Sequence, residues 1–238
     1  RLKEQWALVG QSVAVMGGKE PPITGMGPSI RWLEARETLN SGSSVDVYVP
    51  DTGGCFGHEN FRWERNFWNF SVIENSPQAE DGLGHGCAVG GVIFGSTDDG
   101  VGTAGIYDRA NFAFVKVLDD SGNGSTIGVI QGLKAIAVKT RERKNPCVVN
   151  MSWGAPGLLL GLQEAVDEVR RAGCSVVAAA GNSASNNDRV PVSPAFLRGV
   201  IAVGASTQRD TVADFSNWGP KSVLLFAPGE KILSSVPK

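Results

Sequence analysis

Val45-Asp46-Val47-Tyr48-Val49-Pro50-Asp51-Thr52-Gly53-Gly54 decides how the rest of the chain is read. The β-branched and aromatic run predicts a strand, and Thr52-Gly53-Gly54 supplies the turn chemistry that ends it. Asp51 therefore stands where a strand stops, the place at which side chains leave an open sheet and enter a cleft. Downstream, Gly82-Leu83-Gly84-His85-Gly86 sets a histidine in a glycine frame ahead of the apolar Ala88-Val89-Gly90-Gly91-Val92-Ile93. Further on, Val176-Val177-Ala178-Ala179-Ala180-Gly181-Asn182 reads as a strand ending in Gly-Asn. An acid, an imidazole and an amide, each at the end of an apolar element, are parts of an acyl-transfer site. No attacking group stands out beside them.

The bulk composition excludes several functional classes. The 238 residues suit one domain with a sizeable core, and 42% hydrophobic with 19% charged residues describes a globular chain. A net charge of −2 recruits neither nucleic acid nor an acidic membrane surface. No apolar run approaches the roughly 20 residues of a membrane span. Arg1 is no initiator methionine and no signal-peptide pattern follows it, so the chain reads as processed or as a fragment. Cys55, Cys87, Cys147 and Cys174 fit no metal spacing. Two of them adjoin apolar strands, and the four read as small buried hydrophobes rather than disulfides.

Residues 1–43 are loop-rich, with a short helix expected around Ile30, Leu33 and Leu39, and carry no chemistry; they read as an N-terminal extension of a domain spanning 44–238. A short strand is expected over 68–73 and another over 111–118. From the N-cap Ser125, Ile127, Ile130, Leu133, Ile136 and Ala137 recur at helical spacing, and Lys139, Arg141, Arg143 and Lys144 close that helix. A strand follows over 148–153, then an amphipathic helix on Leu159, Leu162, Val166 and Val169, stopped at Gly173. Strands over 174–180, 200–203 and 223–226 complete the series. Strands alternating with helices of this length predict an α/β fold with a mostly parallel central sheet and helices on both faces. Asp51, Ser152 and Asn182 all fall at carboxyl ends of strands, where such sheets bind ligands.

Competing motifs are weaker. The glycines from 82 to 91 do not form the dinucleotide-binding fingerprint. Asp51-Thr52-Gly53 with Asp120-Ser121-Gly122 could suggest an aspartic-protease dyad, but those enzymes are all-β and this chain is not. Of the two histidines, His58 lies in an irregular aromatic segment and reads as structural, packing against Phe61 or capping a turn, so His85 is the better base. No cofactor or metal ligand set is expected.

Val49-Pro50-Asp51-Thr52-Gly53, Gly84-His85-Gly86-Cys87-Ala88-Val89-Gly90-Gly91, Asn150-Met151-Ser152-Trp153-Gly154, Ala179-Ala180-Gly181-Asn182 and Phe226-Ala227-Pro228-Gly229 together resemble the subtilisin-like serine proteases. Val115-Lys116-Val117-Leu118-Asp119-Asp120-Ser121-Gly122 looks like the proteinase K-like branch. The resemblance implies that Asp51 orients His85, that His85 is general base and then acid, and that the Asn182 amide donates to the oxyanion. It implies that Gly124 and Ser152-Trp153-Gly154 pair with the backbone of an extended peptide, and that Ala179 and Gly181 wall the pocket for the side chain before the scissile bond. Export from the cell and an inhibitory propeptide as a partner are implied as well. Asn69-Phe70-Ser71 and Asn123-Gly124-Ser125 then become glycosylation sequons in expected loops, whereas Asn150-Met151-Ser152 lies on a strand where no sugar is expected.

The chain departs from the family pattern in four places. The family's serine follows the Ala-Pro-Gly motif on a Gly-Thr-Ser helix start, and residues 230–238 contain no such motif, so the C-terminal part of the domain is expected to be missing. A non-catalytic peptide-binding relative and an inactive fragment are the alternatives this leaves. Cys87-Ala88 replace the usual Thr-His after His85-Gly86. Pro50 is awkward in a central strand because it lacks a ladder donor. Leu224 stands where the proteinase K-like branch carries a calcium-binding aspartate, so no calcium is expected there.

Overall fold

The structure, a computed structural model, describes Gln5, residues 44–97 and residues 99–237. The helix expected around Ile30, Leu33 and Leu39 lies outside the described residues.

Strand β1, Asp46–Asp51, is buried along its whole length. It is followed by β2 (Asn66–Ser71), α1 (His85–Phe94), β3 (Asn111–Lys116), α2 (Thr126–Arg143), β4 (Cys147–Met151) and the short β5 (Ala155–Pro156). Then come α3 (Leu162–Arg171), β6 (Cys174–Ala179), the short β7 (Val192–Ser193), β8 (Val200–Ser206) and β9 (Leu225–Pro228). Among the described residues seven strands form one sheet in the order β2-β3-β1-β4-β6-β8-β9, and every pairing within it is parallel. β5 and β7 make a separate antiparallel pair.

Alternation along the strands sorts the two layers. Tyr48, Ala113, Val115, Val149, Met151, Val176 and Ala178 point to one face, where Val129, Leu133 and Ile136 of α2 and Leu162, Val166 and Val169 of α3 cover them. Val47, Val49, Phe112 and Phe114 point to the other, against Cys87 and Phe94 of α1. α2 starts where expected because the Ser125 hydroxyl accepts from the Gly128 amide at 3.0 Å. α3 begins at Leu162, leaving Leu159 in the preceding turn. The last strand lies at Leu225–Pro228 rather than 223–226, with Leu224 exposed ahead of it.

The expectation of unpaired cysteines is overturned. Cys55 is bonded to Cys87 and Cys147 to Cys174, and all four are buried. Cys147 and Cys174 face each other in the β4–β6 register, which brings their Cα atoms to 4.5 Å. Cys55 and Cys87 are 32 residues apart in sequence but meet where the loop after β1 crosses α1. Neither meeting can be read from spacing, because strand register and crossover packing create both.

Pro50 sits in a central strand without loss. β1 pairs with β4 only from Asp46 to Tyr48, so the ladder has ended before residue 50. The Pro50 carbonyl instead accepts the Trp153 indole N–H at 2.8 Å, and pairing with β3 continues through Asp51.

Candidate active site

The end of β1 delivers Asp51, fully buried, to the carboxyl edge of the sheet. Its Oδ1 lies 2.6 Å from Nδ1 of His85 and also accepts the Thr52 amide at 2.7 Å. Oδ2 is buried with no hydrogen-bond partner among the described residues. His85 opens α1, and the residue before it, Gly84, has φ +97°, a conformation that strains any side chain with a Cβ. Gly86 is required for a different reason. A Cβ there would lie 2.1 Å from the Gly53 carbonyl oxygen, so the helix start rests directly on the backbone that follows Asp51.

Gly84 offers no side chain to cap α1, and Asp81 takes that role from three residues earlier. Its Oδ1 accepts from the amides of Leu83 at 3.1 Å and Gly84 at 2.7 Å and from the Thr52 hydroxyl at 2.8 Å. Its Oδ2 accepts from the Cys87 amide at 2.8 Å. The Thr52 hydroxyl in turn accepts from the Gly86 amide at 2.9 Å. Lys116 is buried beside this knot; its ammonium donates to the Thr52 carbonyl at 2.7 Å and to Asp120, whose Oδ1 accepts the Gly82 amide at 3.1 Å. Sequence reasoning passed over Asp81 and Lys116. Asp81 three residues before the helix N-cap was the available signal.

The imidazole is about half exposed, with 45% of its side-chain surface open. The hydrogen bond to Asp51 raises its pKa above the usual 6.5; burial works against this, and the charges of Asp51 and Asp81 add to it.

Beyond the acid and the base, β6 runs out at Ala179 and leads through Gly181 to Asn182, which is exposed. Two buried asparagines hold this loop. Asn217 Oδ1 accepts the amides of Ser183 at 2.8 Å and Ser185 at 3.1 Å, and Asn217 Nδ2 donates to Asn187 Oδ1 at 3.0 Å. Asn187 Nδ2 closes the network on the Ala180 carbonyl at 2.8 Å. Ser152, Ala179, Gly181, Asn182, Val203 and Ala227 line one hollow of about 430 Å³, at the carboxyl ends of β4, β6, β8 and β9.

The remaining candidates are dispersed. Trp153 is turned toward Pro50 and the core and does not line the hollow, and Gly154 and Gly124 are exposed outside it. The Ser152 hydroxyl accepts from Asn150 Nδ2 at 2.8 Å. His58 is structural, its Nδ1 accepting the Asn60 amide at 3.1 Å and its ring 5.6 Å from that of Phe61. Ser234 donates to the Ala88 carbonyl, and Ser235 accepts from Asn60 at 2.7 Å, so neither is bonded to His85. Leu224 is exposed, and no group of three or more metal-ligating side chains occurs among the described residues.

Residues 42–237 match the subtilase family. The chain is 40% identical over 200 residues to a subtilisin-like protease of Coccidioides posadasii, covering 83% of this chain and 47% of the relative. It is 38% identical over 199 residues to subtilisin-like protease 5 of Arthroderma gypseum, with the same coverage. A cuticle-degrading serine protease of Arthrobotrys oligospora is 37% identical over 199 residues, covering 82% of this chain and 45% of that protein. The chain thus spans about half the length of these curated relatives. A cold-adapted subtilisin-like serine proteinase of known structure superposes with a TM-score of 0.74 at 31% identity, covering 98% of this chain and 74% of that one.

Proposed function

The chain belongs to the subtilase family, and from that premise we propose that residues 44–238 are part of a serine endopeptidase domain in which Asp51 and His85 form the acid–base pair. The observation that carries this reading is the 2.6 Å bond between His85 Nδ1 and a fully buried Asp51 at the carboxyl edge of a parallel sheet. With Nδ1–H donated to Asp51, Nε2 is left as the free base. It would take the proton of an attacking serine and return it to the leaving amine, while Asp51 stabilises the imidazolium. Asn182, at the rim of the hollow, would donate its side-chain amide to the oxyanion, a contribution of roughly 3–4 kcal/mol. Gly124, in the loop between β3 and α2, and Ser152-Trp153-Gly154, just past the end of β4, would pair with an extended peptide, and Ala179 and Gly181 would wall the pocket for its side chain.

The serine comes last in the family order, and residues 230–238 hold no Gly-Thr-Ser motif. The 238-residue polypeptide by itself should therefore be inert. Secretion fits the two buried disulfides and the external substrate in the name of the Arthrobotrys relative. A propeptide and protein substrates are the partners of this reading. No helix among the described residues is long and apolar enough to cross a membrane. Treating the 238-residue chain with a fluorophosphonate should give no labelled adduct; stoichiometric labelling would mean that a serine within it is activated and would overturn the assignment of an absent nucleophile.

A further inference from the structure

Three Asn-X-Ser sequences occur in the chain, at Asn69, Asn123 and Asn150, and the structure treats them differently. Asn69 lies within β2, in keeping with the strand expected over 68–73 and not with the loop its sequon implied. Its amide nitrogen donates to Asn66 Oδ1 at 2.7 Å, its oxygen accepts the Phe114 amide at 3.1 Å, and Ser71 two residues on is fully buried. Asn150 is in β4, half-buried at the hollow, with Nδ2 committed to Ser152. Asn123 is exposed, and its side-chain amide has no partner among the described residues. Its backbone is nevertheless fixed, because its carbonyl accepts the Asp119 amide at 2.8 Å and its own amide donates to Asp119 Oδ1 at 2.9 Å. A carboxamide exposed to solvent on a surface loop, with an exposed serine two positions on, is what a sugar-bearing asparagine needs in the folded protein.

We propose that Asn123 is the one N-glycosylated residue among the three sequons, and that its oligosaccharide stands at the His85 side of the cleft. The inference rests on the secreted reading above. In the transfer, Asn123 Nδ2 forms a bond to the anomeric carbon of a polyprenyl-diphosphate-linked oligosaccharide. The anomeric C–O bond breaks, the diphosphate leaves with its electron pair, and the amide gives up one proton to a base of the transferase. The position follows from the packing of residues 119–124. Asp120 binds the Gly82 amide, and a Cβ on Gly122 would lie 3.2 Å from the Leu83 side chain, so this loop leans on the turn that presents His85. Gly124, next to the glycan root, is the proposed substrate-pairing residue.

The test is to secrete the full 238-residue chain from a fungal host behind a heterologous leader and map each asparagine after enzymatic release of glycans in heavy-oxygen water. The expected result is a label on Asn123 and none on Asn69 or Asn150. A single mobility shift should disappear in Asn123→Gln and persist in Asn69→Gln. A secreted chain bare at Asn123, or one labelled at Asn69 or Asn150, overturns the proposal, and mapping the unaltered chain gives the answer even if a variant folds poorly. Localising the protein in its own source tests the secretion reading separately: retention inside the cell would overturn that reading while an occupied Asn123 in the host still supported the site.

Discussion

A buried carboxylate at the end of β1 and a half-exposed imidazole at the start of α1 form a pair whose behaviour with pH can be worked out. The His85 pKa is raised, so the imidazolium form of the folded chain persists above 6.5. The stabilisation from the Asp51–His85 bond is fully present below the unfolded value and is lost as pH rises through the folded one. Catalysis runs the opposite way, because a general base must be neutral, so a completed enzyme should gain activity as His85 deprotonates above 6.5. An NMR titration of the His85 ring should place its pKa above 6.5, and Asp51→Asn should bring it down, since burial then acts without its main opponent. An unchanged value in the variant would show that the bond does not govern the imidazole. Asp51 and His85 were legible in the sequence because one closes an apolar strand just before a Gly-Gly turn and the other, framed by glycines, opens an apolar helix. Asp81, Asn187 and Asn217 were not, because their partners are backbone amides and carbonyls assembled by loops rather than by any sequence periodicity.

At the level of elements, periodicity located α2 with its Ser125 cap and the alternating strands β4, β6 and β8, because each buries one face against another layer. The strand expected over 68–73 is present as β2, two residues earlier; as an edge strand of the sheet it pairs with β3 alone and admits polar residues. Sequence pattern failed at the cysteines. The Cys55–Cys87 bridge ties the loop after Asp51 to the helix that begins with His85, at the position where the family usually carries threonine. Replacing both cysteines by alanine releases a crosslink across 32 residues and should cost about 3–4 kcal/mol, read as a lower Tm. The His85 pKa should stay raised in that variant, because Asp81 and Thr52 still hold the start of α1. A fall to 6.5 would show that the disulfide, and not this polar knot, places the ring.

At the level of the whole molecule the sheet is unevenly clothed. α2 and α3 cover one face from β3 to β8. On the other face, among the described residues, α1 covers β1 and β3, whereas Val177, Ala179, Ile201 and Val203 are only half-buried. The alternation of buried and half-buried residues along β4, β6 and β8 marks where that cover ends, beside the hollow that Asn182 lines.

The parallel ladder has a consequence in time as well as in space. No hairpin can nucleate this sheet, because each strand of it pairs only across a crossover. Asn111 reaches Asp46 over a sequence separation of 65, and Arg143 reaches the same carboxylate over 97. The loop-closure entropy of each crossover is lost before its ladder bonds repay it, so the search for the native register is long and the unpaired apolar strands are sticky while it lasts. With its disulfides intact, the chain diluted out of guanidinium should regain its fold slowly, and the recovered fraction should fall as its concentration rises. Fast, concentration-independent recovery would mean that local structure, and not the long crossovers, sets the pace.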